Sequence, residues 1–225
     1  MGKLIVIEGL DGSGKSTQTP ILAKELMEQG KNVRVVSFPD YENDSSMLVR
    51  MYLSGSFGTK PGDVNAYAAS TFYAVDRYAS YVQQWKEFYE KSDSVVIATR
   101  YVSSNEIHQL AKLDRGDWND YITWAEDFEY NKLGIPRPDL VLYLDMKYEI
   151  AMSLVSGRSE ATGQKKDIHE LDEDYMERCH KAAAYASDRL GWQSVVCYEG
   201  KQPLSKEEIA EKILEKVTML LDIAS

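Results

Sequence analysis

Short apolar runs alternate with longer amphipathic segments along the whole chain. The runs that predict β-strands are residues 4–7, 33–38, 94–98, 140–144 and 194–198. They are largely continuous rather than strictly alternating, which is typical of parallel strands covered on both faces. Helix-length segments lie between them. The pattern therefore predicts a single α/β domain over residues 1–225, with a parallel five-stranded sheet flanked by helices on both faces.

Two of the predicted helices carry clear sequence signals. One is expected to begin at Asp63, with residues 64, 68, 71, 75, 78, 82 and 85, all apolar except Thr71, forming its buried face. The other begins with a capping box of Ser205 and Glu208 and repeats apolar residues as far as Leu220. By contrast, residues 156–167 hold almost no apolar side chain, so we expect a mobile surface loop there.

Composition and charge narrow the class of protein. The two cysteines, Cys179 and Cys197, have no zinc-ligand spacing and favour a reduced, cytoplasmic protein. No apolar stretch approaches the ~18 residues of a membrane helix, and we expect no signal segment and no membrane association. A net charge of −10 argues against nucleic-acid binding. If the ligand is a phosphate, a few cations must reverse this negative field locally.

The segment GLDGSGKS at residues 9–16 matches the phosphate-loop pattern G-x-x-x-x-G-K-[ST] in full. Its glycines allow the backbone to point N–H groups at an anion, and the helix that follows adds its positive end. Lysine supplies a charge for the β- and γ-phosphates, and the serine hydroxyl can ligate Mg²⁺. The loop at residues 8–17 is therefore predicted to bind ATP with Mg²⁺. The residues assigned to this task are Gly9, Asp11, Gly12, Ser13, Gly14, Lys15, Ser16 and Thr17.

A phosphate loop can serve a GTPase switch, a motor or a small-molecule kinase, and the fold alone does not choose. The guanine-reading NKxD is not matched, because AKLD at 111–114 and NKLG at 131–134 each miss one position. Outside the phosphate loop itself, the D-x-x-G motif occurs only at 188–191, too late in the chain. A GTPase switch is therefore disfavoured as the function of this phosphate loop. A kinase would need an acceptor pocket, arginines near the phosphates and a lid that excludes water.

Candidates exist for each of these kinase features. Tyr73 and Arg77 are four residues apart on the predicted helix and share a face, which suits a base and its phosphate. Arg100 follows the third strand, at the edge where parallel sheets bind ligands. Ser104 and its neighbours are expected to cap the next helix, with ligand contact as the alternative. Arg158 lies in the predicted loop. The alternatives are that Tyr73 and Arg77 form a surface pair and that Arg100 is structural. For Arg158, the alternative is a solvated basic loop.

Together these segments resemble the thymidylate kinase family, nucleoside monophosphate kinases that phosphorylate dTMP. The resemblance is carried by IEGLDGSGKST at 7–17, FPDY at 38–41, TFYAVDRY at 71–78, TRYVSSNEIHQ at 99–109 and the loop at 156–168, in the family's order. It implies a P-loop NTPase fold with a flexible lid at 156–168. It also implies the reaction ATP + dTMP → ADP + dTDP for dTTP synthesis, and a homodimer.

The resemblance also implies roles for individual residues. Lys15, Arg100 and Arg158 would be catalytic, with Arg100 bridging the donor and acceptor phosphates and Arg158 closing over the transferred group. Ser16 would be the Mg²⁺ ligand. No general base is needed, because the acceptor is already a phosphate anion. The substrate-binding residues would be Asp11, Phe38, Tyr73, Arg77, Arg100, Ser104, His108 and Gln109.

The chain departs from the family's usual residues on the acceptor side. Thr99 stands where aspartate is usual, His108 where an aromatic ring is usual, and Asp40 near the place of a common arginine. The phosphate loop carries no arginine at 12–13, which is why Arg158 is assigned to the transferred group. These departures keep two alternatives open: a kinase for another nucleoside monophosphate or a deoxynucleoside, and a non-catalytic nucleotide-binding regulator.

Overall fold

Five parallel strands form the central sheet. The computed structural model describes residues 1–162, 167–169 and 171–223, with the backbone alone at 156–162 and 223. The strands are β1 (Lys3–Glu8), β2 (Asn32–Ser37), β3 (Ser94–Thr99), β4 (Leu140–Asp145) and β5 (Gln193–Val196). Their order in the sheet is β2-β3-β1-β4-β5, and every neighbouring pair is parallel. The predicted α/β fold and its five strands are confirmed.

Helices cover both faces of this sheet. Within the described ranges they are α1 (Lys15–Glu28), α2 (Met47–Leu53), α3 (Ala66–Ser80), α4 (Lys86–Tyr89), α5 (Val102–His108), α6 (Trp118–Glu126), α7 (Tyr148–Thr162), α8 (Glu173–Leu190) and α9 (Lys206–Ile223). Two π-helical turns, Tyr81–Trp85 and Asp127–Lys132, extend α3 and α6. The short strands β6 (Tyr198–Glu199) and β7 (Gln202–Pro203) form a hairpin that the sequence did not predict. None of the helices in the described ranges combines the length and apolarity needed to cross a membrane.

The core has a layer on each face of the sheet. Successive residues of β1 point to opposite faces: Ile5 and Ile7 pack with α1 and α9, while Leu4 and Val6 pack with the π-helical turn that contains Trp85. All four β1 residues are fully buried. Burial on both faces explains why the strands read as continuous apolar runs.

The helix predicted to begin at Ser205 is confirmed with its capping box. The backbone N–H of Ser205 donates to the Glu208 carboxylate at 2.8 Å, and the N–H of Glu208 donates to Ser205 Oγ at 3.2 Å. These reciprocal bonds satisfy two backbone donors at the start of α9.

The helix predicted from Asp63 exists, but its orientation was predicted wrongly. The apolar residues Val75, Tyr78 and Val82, expected in the core, are 47%, 43% and 48% exposed. The buried face instead carries small and polar residues, among them Ala69 and Arg77. Helical spacing shows which residues share a face but not which face turns inward. Here the inward face is the one that lines the candidate site.

The start of this helix is also later than predicted. Asn65 is the N-cap of α3, and its side chain accepts a hydrogen bond from the N–H of Ala68 at 2.8 Å. The residues Pro61–Asp63 form a separate 3₁₀ turn.

The loop predicted at 156–167 is helical in its first part. The backbone of α7 is helical through Thr162, so the prediction is wrong for residues 156–162. Residues 163–166 lie outside the described part of the chain, and so does the side chain of Arg158. The function of 156–168 as a lid stays a prediction.

Candidate active site

The phosphate loop joins β1 to α1 through three glycines with positive φ. Gly9, Gly12 and Gly14 have φ values of 153°, 83° and 98°. A Cβ atom on Gly12 would lie 2.4 Å from the carbonyl oxygen of Ala151, so this position requires glycine for space as well as for conformation. Lys15 Nζ is buried within the loop and donates to the carbonyl oxygens of Gly9 and Leu10 at 2.6 and 2.9 Å. The backbone is thus shaped to surround an anion.

A cavity of about 470 Å³ lies beside this loop. We call it the donor cavity, because the loop is predicted to bind ATP, the phosphoryl donor. Its floor is formed by residues 11–18 of the loop and of α1. An apolar wall stands opposite, formed by Met146, Leu154, Val155, Pro203 and Leu204. The polar floor suits phosphates and the apolar wall suits a flat base. The sequence did not indicate this wall, because its residues come from three separate segments that share no motif.

A second cavity, of about 70 Å³, is also lined by Arg100. We call it the acceptor cavity, because the residues predicted to bind the phosphoryl acceptor line it. The structure brings all eight predicted substrate residues to its lining: Asp11, Phe38, Tyr73, Arg77, Arg100, Ser104, His108 and Gln109. Further lining residues were not predicted from the sequence, among them Tyr41, Asn105, Asp167 and His169. Contact of these side chains with a substrate stays a prediction.

Arg100 and Asp11 form the wall shared by the two cavities. Arg100 Nη2 donates to Asp11 Oδ1 in an ion pair, and Lys15 Nζ lies 3.8 Å from the same oxygen. Burial acts to raise the pKa of the Asp11 carboxyl, but Arg100 and then Lys15 outweigh burial and hold that pKa below its usual value. Arg100 is also the one non-glycine residue of the described chain with positive φ, at 62°. Strained backbone of this kind is common at functional sites.

Arg77 is held by a partner that no sequence motif indicated. Its Nε and Nη2 donate to the two carboxylate oxygens of Glu129, each at 2.6 Å, and both side chains are 1% exposed. Asn105 Nδ2 donates to the same carboxylate at 3.0 Å. Glu129 lies in a π-helical turn 52 residues away from Arg77 in the chain. None of the described residues accepts a hydrogen bond from Nη1, which leaves that nitrogen for a ligand of the acceptor cavity.

The expected helix cap at Ser104 is wrong. The hydroxyls of Ser103 and Ser104 donate to Glu8 Oε2 at 2.8 and 2.7 Å, and the start of α5 has no side-chain cap. The other oxygen of Glu8 accepts from the N–H of Gly9 at 2.9 Å. Glu8 therefore ties the phosphate loop to α5, the helix that carries much of the acceptor cavity.

Thr99 and Asp40, two of the three residues that depart from the family's usual pattern, have hydrogen-bonding partners within the chain. The hydroxyl of Thr99 lies 2.8 Å from that of Thr19, within hydrogen-bonding distance, and Thr99 lines the donor cavity. Asp40 accepts hydrogen bonds from Asn43 and Gln84, both at 2.7 Å, and is not among the residues that line the acceptor cavity. Its neighbour Tyr41 lines that cavity instead.

His108 belongs to a buried histidine pair beside the acceptor cavity. Its ring is 5.7 Å from that of His169, with an interplanar angle of 17°. Arg100 Nη1 donates to His108 Nε2 at 3.2 Å, so that nitrogen carries no proton; Nδ1 is the protonated one and faces Cys179 Sγ at 3.5 Å. Burial, and then the charge of Arg100, lowers the pKa of His108 to about 3. His108 is thus a neutral acceptor that orients Arg100.

This neutral pair predicts a loss of stability in mild acid. The folded pKa of His108 is about 3 against an ordinary value of 6.5, so between these values the unfolded chain binds the additional proton. The contribution of each such histidine to the free energy of unfolding is fully present above the ordinary pKa. It falls as the pH decreases, by up to about 1.4 kcal/mol per pH unit. We expect His108→Phe to flatten this fall between neutral pH and mild acid, as measured by denaturant unfolding. Equal slopes in the wild type and the variant would contradict it.

Comparisons with known proteins agree with this geometry. The thymidylate kinase family model matches residues 7–213. A thymidylate kinase of Mycobacterium tuberculosis is 32% identical over 192 residues, 84% of this chain and 87% of that one. A probable thymidylate kinase of Thermococcus gammatolerans is 33% identical over 186 residues, 81% and 84% of the two chains. A solved thymidylate kinase structure from Candida albicans shares the fold, with a TM-score of 0.72 over 97% of this chain and 92% of that one at 23% identity. The chain belongs to the thymidylate kinase family.

Proposed function

We propose that the chain transfers the γ-phosphoryl group of ATP to dTMP and so produces dTDP for dTTP synthesis. The observation that carries this proposal is the position of Arg100, which lines both the donor cavity and the acceptor cavity. A cation on the wall between two phosphate sites can neutralise charge on both sides of the transferred group. Family membership supports the same reaction.

On the donor side, Lys15 and the loop amides hold the β- and γ-phosphates. The hydroxyl of Ser16 lines the donor cavity at the start of α1, which fits the Mg²⁺ ligand of a phosphate loop. Mg²⁺ would supply charge neutralisation between the phosphates when bound. The apolar wall that contains Leu154 and Leu204 receives the adenine ring.

On the acceptor side, no general base is required, because the dTMP phosphate is already an anion. Arg100 holds this phosphate in place, and His108 orients Arg100 through its neutral Nε2. Tyr73 stacks on the thymine ring, and Arg77 Nη1 reaches its polar edge. Catalysis consists of positioning and charge neutralisation of a loose transition state.

Gln109 is assigned to the thymine edge because its buried amide is unsatisfied. Both amide atoms are buried, and neither has a hydrogen-bond partner among the described residues. An unsatisfied buried amide costs about 1–3 kcal/mol, so a ligand that bonds it recovers that free energy.

Gln109→Leu is therefore expected to change stability and binding in opposite directions. Removing the unsatisfied amide should leave the free energy of unfolding unchanged or raise it by about 1 kcal/mol. The KM for dTMP should rise about tenfold or more, because the base loses its partner. The KM for ATP, measured in the same assay, serves as the internal control. An unchanged KM for dTMP would remove Gln109 from the base site.

We also propose a cytoplasmic homodimer. The cytoplasmic location is supported by Cys179 and Cys197, which are both free and buried. The dimer is supported by exposed apolar side chains on the neighbouring helices α2 and α3 and on the π-helical turn that extends α3: Met47, Leu48, Met51, Val75, Tyr78 and Val82. Apolar patches of this kind mark interfaces between proteins. Sedimentation equilibrium should give twice the chain mass for the wild type and the single chain mass for Val82→Glu. A monomeric wild type would contradict the dimer.

The test of the main proposal is an acceptor panel. ADP formation is measured with ATP and Mg²⁺ against dTMP, dUMP, UMP, dCMP, dGMP, AMP and thymidine. We expect a strong preference for dTMP. Preference for another acceptor would keep the kinase chemistry and assign the change to His108 and its surroundings. ATP binding without turnover on any acceptor would favour a nucleotide-binding regulator.

A further inference from the structure

A third cavity, of about 250 Å³, lies on the opposite side of α5 from the acceptor cavity. Ser104 and His108 are one helical turn apart and line the acceptor cavity, so they share a face of α5. Glu106 lies midway between them in sequence and therefore points to the other side, where it lines the third cavity. The remaining walls come from α6, the π-helical turn Asp127–Lys132 and the segments that enter β4 and β5.

The carboxyl group of Glu106 is the unusual feature of this cavity. Its side chain is 3% exposed, and no residue of the described chain forms a hydrogen bond or an ion pair with it. Burial, and then the charges of Glu126 and Glu129, raises the pKa of Glu106 well above its ordinary value. A buried polar group without a partner is costly, and the open direction of this one is into the cavity.

The other carboxylates of the cavity already have partners. Glu126 accepts from Arg137 Nη1 at 2.7 Å, and Asp139 accepts from Lys3 Nζ at 2.9 Å. The guanidinium of Arg137 lies 4.3 Å from the centre of the Tyr130 ring. Glu106 is therefore the carboxyl group of this cavity that lacks a cation.

The form and composition of the cavity define the class of ligand. The rings of Tyr130 and Trp192 are among the lining residues, and aromatic surface of this kind suits a flat apolar body. The volume exceeds the roughly 150 Å³ that holds a benzene molecule in an apolar cavity. Among the residues the structure describes, no group of three His, Cys, Asp or Glu side chains is placed to hold a metal ion. An organic cation therefore fits better than a metal.

We propose that this cavity binds a small protonated amine, whose ammonium group pairs with Glu106 while an aromatic or alicyclic body lies against Tyr130 and Trp192. Neither the kinase reaction nor its substrates use these side chains, so the site is independent of the proposed function. Because Glu106 holds its proton until the cation arrives, binding releases a proton to solvent.

The test uses benzylamine as the probe and benzyl alcohol as its neutral counterpart. Both are titrated into the full chain at neutral pH by calorimetry, in PIPES and in HEPES, whose different ionisation enthalpies reveal proton release. We expect benzylamine to bind about ten- to hundredfold more tightly than benzyl alcohol, the usual effect of a charge-assisted hydrogen bond. We also expect its apparent binding enthalpy to differ between the two buffers.

Two variants assign this preference to one residue. Glu106→Gln replaces a protonated acid with an amide of nearly the same shape, so it should fold normally and lose the preference for the amine. Glu126→Gln, the matched control, removes a carboxylate that is already paired and should keep the preference. Equal binding of amine and alcohol, an unchanged preference in Glu106→Gln, or no binding at tens of millimolar would each overturn the proposal. Displacement of benzylamine by potassium chloride but not by sodium chloride would indicate an inorganic cation site instead.

Discussion

Arg158→Ala is expected to lower kcat by a factor of about 10³, the usual effect of removing an arginine that stabilises a phosphoryl-transfer transition state. Three observations lead to this expectation. The phosphate loop has Gly12 and Ser13 rather than an arginine, and the cations that line the donor cavity within the described chain are Lys15, Arg100 and Lys206. Residue 158 follows Leu154, a lining residue of that cavity, by one turn of α7.

Steady-state kcat and calorimetric dTMP binding test this expectation together. Binding of dTMP should barely change, because Arg158 is assigned to the transferred group and not to the acceptor. Arg178→Ala, which removes an exposed arginine from α8, is the matched control and should keep normal turnover. Arg158→Lys should recover only part of the activity, because lysine lacks the planar fork of donors. Turnover near the wild-type rate in Arg158→Ala would remove this residue from the mechanism.

Arg77→Met is expected to lower the free energy of unfolding by about 3–5 kcal/mol, because it leaves the Glu129 carboxylate buried and without its cation. Asn105 still donates one hydrogen bond to that carboxylate, but a neutral donor does not balance a buried charge. The same change removes Nη1 from the acceptor cavity, so the KM for dTMP should also rise.

A double variant separates the two effects. Arg77→Met with Glu129→Gln removes the uncompensated charge and keeps an acceptor for Asn105. Its stability should return most of the way to the wild type, while the KM for dTMP stays high. Denaturant unfolding and steady-state kinetics provide the two readouts. If stability and KM recovered together, Arg77 would act on the acceptor only through folding. If the single variant were as stable as the wild type, the pair would contribute nothing.

Local sequence patterns predicted the sheet and the phosphate loop because each depends on neighbouring residues. The five strands are recognisable since burial on both faces requires continuous apolar runs. The loop is recognisable since Gly12, Gly14 and Lys15 must occupy fixed positions around an anion. Asp11, Phe38 and Arg100 were brought to one cavity because they follow parallel strands, whose carboxyl ends lie at the same edge of the sheet.

The errors and omissions arise where distant parts of the chain decide the outcome. The apolar stripe of α3 is as consistent with an interface as with a core, so Val75 and Val82 were assigned to the wrong side. Glu129 and His169 reach the site through tertiary packing, and no local spacing connects them with Arg77 or His108. The apolar wall of the donor cavity is likewise assembled from three segments.

The ion pair between Asp11 and Arg100 has a consequence for how the site treats small anions. Asp11 is an internal competitor for any phosphate that approaches Arg100. A nucleotide can displace it, because the base and sugar contribute contacts of their own. Inorganic phosphate or sulfate brings only its charge, and must overcome the same carboxylate without that help. We therefore expect this cleft to bind inorganic phosphate and sulfate weakly.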